Sequence, residues 1–135
     1  MISFNKYIFI LLFLFVSSES FSQEKKYKIA CIGFYNLENL FDTINEPNND
    51  EEFLPDGAYH YTSEVYLDKL SHLSDVISQI ATYLTPDGLA LMGCAEVENR
   101  SVLEDLLKQP KISSRHYEIV HYDSPDERGI DVGLI

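Results

Sequence analysis

Two nearly unbroken apolar runs, Ile29–Tyr35 and Leu89–Ala95, each end abruptly on polar residues. Continuous runs of that length are typical of strands buried on both faces. Between them, Tyr66, Leu70, Leu73, Ile77, Ile80 and Leu84 recur every three or four positions. That spacing predicts a helix with one buried stripe, capped by Thr62 or Ser63 and running to about Tyr83. Pro86-Asp87-Gly88 supplies the turn after it. Ser101 and Glu104 fit a capping box for a shorter helix over Val102–Gln109, stopped by Pro110. His116–Tyr122 and Ile130–Ile135 read as two further strands joined by a turn at Asp123-Ser124-Pro125-Asp126. No internal repeat or low-complexity segment interrupts this order.

Strand, helix and strand at this spacing form a βαβ unit with parallel strands and a right-handed crossover. Parallelism brings the carboxyl ends of both strands together, and in open α/β sheets ligands bind at that edge. The first run stops at Asn36-Leu37-Glu38-Asn39 and the second at Glu96, Glu98, Asn99 and Arg100. Asn36 and Glu96 are therefore expected to be neighbours. A buried carboxylate beside a carboxamide is costly unless a cation or several donors satisfy it. Carboxylate and amide oxygens against a dry core fit a hard divalent cation and the anion it carries. The plainer alternative is that Asn39 and Asp42 cap the next turn.

Composition narrows the picture. The chain has 135 residues, 45% of them hydrophobic, enough for one modest core. A formal net charge of −12 argues against a binder that grips nucleic acid through a broad basic surface. It leaves room for a nuclease that meets phosphate through metal ions. Residues 1–22 read as an export signal: Lys6, an apolar core from Tyr7 to Val16, and small residues at Ser20 and Ser22. A spanning anchor would need about 20 apolar residues, so cleavage is expected, with a periplasmic or secreted product and no stable membrane anchor. Residues 23–135 are then expected to form a partial domain, truncated at its C-terminus, because the last apolar run has no turn or polar finish. Strand parity places Cys31 and Cys94 on opposite faces, so both are expected to be buried and free rather than bridged. The acidic stretch from Asp42 to Tyr61 lacks the ligand spacing and central Gly of an EF-hand loop and reads as a solvated, mobile surface loop.

Three segments stand in order: Tyr35–Asp42, YNLENLFD; Ala95–Arg100, AEVENR; and Asp126–Ile135, DERGIDVGLI. Together they resemble the endonuclease/exonuclease/phosphatase superfamily, the fold of deoxyribonuclease I, and most of all its exported bacterial endonuclease-like members. The resemblance covers nearly all of the mature chain and the N-terminal half of the family's domain. It implies an α/β fold, half of a four-layer α/β sandwich, that cleaves phosphate esters with magnesium or manganese. By position, Asn36 resembles the family's active-site Asn and Glu96 its metal-ligating Glu. Glu38 sits where some members carry a second metal-site residue. The third segment departs from the repair nucleases, because Gly129 stands where those enzymes often have a Tyr. Arg128 beside it could offer positive charge to the phosphate instead, and Asp131 reads as a strand-edge residue paired with Arg128. The family's later Asp-x-Asn and closing Asp-His pair have no counterpart here, and His60, His72, His116 and His121 all read as surface or packing residues.

The expected function is a metal-dependent phosphodiester hydrolase, an exported endonuclease on DNA, with this chain alone inactive and poorly stable. The alternatives are a phosphatase or phospholipase-type hydrolase on inositol phosphates or sphingomyelin, and a non-catalytic binding module on the same fold. A nucleic acid or other phosphodiester is the expected partner, and no protein partner is predicted.

Overall fold

The computed structural model describes residues 25–135, so the expected export signal over residues 1–22 lies outside the described residues. Strand β1 (Cys31–Leu40) leads through an acidic loop to helix α1 (Ser63–Gln79). Strand β2 (Leu89–Val97) and helix α2 (Arg100–Leu107) follow, and the short strands β3 (Val120–Tyr122) and β4 (Asp131–Leu134) close the order. The four strands form one sheet in the order β1-β2-β4-β3. β1 and β2 are parallel, while β4 runs antiparallel to both β2 and β3. No helix among the described residues is long and apolar enough to cross a membrane.

The helices line one face of the sheet. Tyr66, Leu70, Leu73 and Ile77 of α1 are buried there, with Leu89, Met92 and Cys94 of β2 and Val102, Leu103 and Leu106 of α2. Each fully buried aliphatic side chain contributes roughly 1.5–3 kcal/mol of transfer free energy. Thr62 caps α1 by accepting from the Val65 amide. α1 ends at Gln79, short of Tyr83, because Ala81 turns left-handed with φ 62°. Leu84 consequently leaves the buried stripe and is exposed. The Arg115 guanidinium donates to two carbonyls of the last turn, those of Ile77, which also accepts from the Ile80 amide, and Ser78. The capping box expected at Ser101 is not formed. Asn99 is the cap of α2 and accepts from both the Val102 amide and the Ser101 hydroxyl, while Glu104 pairs with Arg100.

The acidic loop is anchored rather than simply solvated. Phe53 stacks on Phe41 with ring centroids 4.2 Å apart, Tyr61 is buried, and Asp50 is almost fully buried. The Asn49 amide donates to the Glu127 carbonyl and ties the loop to the segment before β4. There Gly129 is left-handed at φ 71°, and a Cβ at this position would run into the Asn48 side chain. A Tyr there would be strained at that φ and would have to displace Asn48.

The other face of the sheet is open. Ile32 and Phe34 of β1, Val120 and Tyr122 of β3 and Val132 of β4 all point out, Phe34 with 72% of its surface exposed. Cys31 and Cys94 are both free, but not for the reason the parity argument gives. Tyr35 pairs with Cys94, and Cys31 lies four residues before Tyr35 on the same face. The two thiols share the helix side and stay apart because roughly 13 Å of strand separates them. Cys94 is buried, while Cys31 is only half-buried.

Candidate active site

Asn36 and Glu96 meet. The Asn36 carboxamide nitrogen donates to Glu96 Oε1 at 2.8 Å across 60 positions of sequence. Alternation alone would not bring them together, since Asn36 is registered against Ala95. The ladder slips between Asn36 and Leu40 on β1 and between Ala95 and Val97 on β2. At those slips Glu38, Asn39 and Glu96 take left-handed backbone with φ 55°, 58° and 59°. This bulged backbone turns the Glu96 carboxylate onto the face that Asn36 already occupies. Non-glycine residues held there cost on the order of 1 kcal/mol each and concentrate at functional sites.

The surrounding contacts hold that conformation. Glu96 Oε2 accepts from the Asn39 amide at 3.1 Å, and Asn36 Oδ1 accepts from the Glu38 amide at 2.7 Å. Lys69 reaches across from α1, and its ammonium donates to the Glu38 and Asn39 carbonyls. Burial lowers the Lys69 pKa, against the pull of Glu38 and Glu96, which raises it. Lys69 was not foreseen from sequence. Its one available signal is its place directly before Leu70 on the buried stripe.

A second acid lies behind the first. Glu98 is almost fully buried, and its Oε2 accepts from the Asp42 amide at 2.7 Å. Burial pushes its pKa up to about 8, with the charges of Asp42, Glu46 and Asp50 adding to the rise and the Asp42 amide opposing it. Glu98 Oε1 and the Tyr61 hydroxyl are both buried without a partner. Burial, and then the Glu98 charge, pushes the Tyr61 hydroxyl up to about 12.

Glu38 is exposed beside Asn36. Arg128 is also exposed, and its guanidinium is held by both carboxylate oxygens of Asp126 at 2.8 and 3.1 Å. The expected pairing of Asp131 with Arg128 is not formed, because Asp131 faces inward toward His121. His60 and His116 lie exposed in turns, and His72 sits on the exposed face of α1 beside Asp68. His121 is buried.

The donor set suits a magnesium-like ion. A carboxylate offers about four acceptor positions, and Glu96 uses two of them. Magnesium is usually held by one or two carboxylates while keeping several waters, so Glu96 with exposed Glu38 fits that habit. Asn36 retains a second amide hydrogen for an anion.

Parallel strands with a polar cluster at their carboxyl edge, backed by helices on one face, make this an α/β protein with its candidate site at that edge. The chain belongs to the Endonuclease/Exonuclease/phosphatase family, whose model matches residues 31–135. Members of that family are hydrolases of phosphate esters that in general use divalent metal ions. No curated protein and no solved structure matches the chain.

Proposed function

We propose that this protein is an exported, magnesium- or manganese-dependent phosphodiesterase acting on DNA. Phosphodiester hydrolysis needs an in-line water and neutralisation of charge on the phosphoryl oxygens. In this reading Glu96 is the principal metal ligand and Glu38 supplements it. Asn36 uses its free amide hydrogen to orient the phosphate or the attacking group, and Arg128 adds positive charge at the rim. A bound divalent ion would polarise the phosphoryl oxygen and lower the pKa of a water.

The observation that carries the reading is the 2.8 Å contact between Asn36 and Glu96 on strained backbone. A carboxamide and a carboxylate held at such an energetic cost are poorly explained by packing alone. The test is magnesium-dependent nicking of plasmid DNA beside a panel of inositol phosphates, using this chain and, where one is encoded, a longer form of it. Removing one electrostatic stabiliser usually costs about 10² to 10³ in rate, so Glu96→Gln should lose at least that much. Full activity in the variant would remove Glu96 from the chemistry. Cleavage of inositol phosphates but not of DNA would move the substrate to the phosphatase branch.

A further inference from the structure

We propose a second metal site, for a zinc-class divalent ion, formed by His121, Asp123 and Asp131 on the β3–β4 hairpin. It does not rest on the reading of Asn36 and Glu96. Asp131 is registered against Val97, the residue after Glu96, but points to the helix side of the sheet with His121 and Gly133.

One ligand atom from each of the three residues lies within 4.8 Å of the others. The His121 and Asp131 side chains are only 4% and 6% exposed. His121 Nε2 lies 3.0 Å from Asp131 Oδ2, yet it has no hydrogen-bond partner. The oxygen is near enough, but it sits off the axis of the ring nitrogen. Two ligand atoms 3.0 Å apart subtend about 90° at an ion roughly 2.1 Å from each. The lone pair of such a nitrogen then points about 45° away from the neighbouring oxygen. That is the misalignment a shared ion requires and an N–H···O bond avoids.

The contacts around the ligands suit an ion as well. Asp131 Oδ1 accepts from the Ser124 amide at 2.7 Å, which fixes the carboxylate and leaves Oδ2 toward His121. Asp123 is exposed and can close the remaining gap by a rotamer change. An imidazole with two carboxylates neutralises a divalent ion, and the imidazole selects zinc or cobalt over magnesium. Such an ion would clip the two strands where they enter the turn of the hairpin, a structural use of metal.

The experiment titrates Co²⁺ into the full chain carrying Glu96→Gln, so that the magnesium-type site does not contribute. Expected are visible ligand-field bands saturating at one equivalent, displaced by Zn²⁺ but not by excess Mg²⁺. Asp123→Ala, at an exposed position that leaves the fold intact, should weaken binding at least tenfold, and so should His121→Gln. Absence of bands, equal displacement by Mg²⁺, or unchanged affinity in Asp123→Ala would each overturn the proposal.

Discussion

Glu98 shows how far one side chain can be moved by its setting. Its pKa of about 8 lies above the 4.5 of an ordinary Glu, so the folded chain holds a proton that the unfolded chain has released across that window. By linkage, its contribution to stability is full below about pH 4.5, falls as pH rises toward 8, and is level above it. At about 1.4 kcal/mol per unit, the loss is at most on the order of 5 kcal/mol. Glu98→Gln keeps an oxygen to accept from the Asp42 amide and removes the titration. Urea melts at pH 5 and pH 8 should therefore show a flatter pH dependence in the variant, and higher stability than the parent at pH 8. Parallel losses in both proteins would assign the pH dependence elsewhere. None of this was legible in the sequence, where Glu98 is one of several acids after an apolar run. Its burial comes from the aromatic loop, and Asp42, Glu46 and Asp50 become its neighbours only after that loop folds back.

Whole elements were far easier to read than their ends or their irregularities. The two apolar runs became the parallel strands, and the three-to-four spacing became α1, because burial of one stripe or of both faces decides those choices over many residues. The slips at Glu38-Asn39 and at Glu96 depend on left-handed backbone instead. They are stabilised by the Glu96 carboxylate on the Asn39 amide and by Lys69 on two carbonyls, contacts that exist only in the folded chain. Parallel pairing alone brings Asn36 and Glu96 to one edge of the sheet, whereas the slip at Glu96 breaks its parity with Cys94, which is why strand alternation puts Cys31 and Cys94 on opposite faces when they share one. The start of α2 departs from the expected capping box for a similar reason. Asn99 and Ser101 are both good caps, and what favours Asn99 is tertiary, since its amide also donates to Glu46 in the acidic loop at 3.2 Å. Asn99→Ala should cost about 1–2 kcal/mol, the usual loss for a cap, while Ser101→Ala should cost a few tenths. Chemical denaturation of the two variants separates these positions, and a larger loss at Ser101 would restore the capping box.

Across the whole molecule, one face of the sheet packs on two helices and the other carries Ile32, Phe34, Val120, Tyr122 and Val132 into solvent. Exposed apolar patches beyond a few hundred Å² are uncommon on monomers and mark interaction surfaces or association. The face also bears on the candidate site, because Asn36 continues the row of Ile32 and Phe34 and sits at the patch's polar end. Water now reaches the Asn36–Glu96 pair from that side. A layer covering the apolar row would lower the local dielectric and strengthen every charge interaction there. The chain by itself is therefore expected to bind a hydrophobic dye and to self-associate with concentration. Ile32→Thr combined with Val132→Thr keeps β-branched residues in both strands and removes apolar area from that face alone. The double variant should sediment closer to the monomer and bind less dye, with its denaturation midpoint shifted little. If association is unchanged while the midpoint falls, these side chains support the fold from within, and the face is not the surface along which the chain associates.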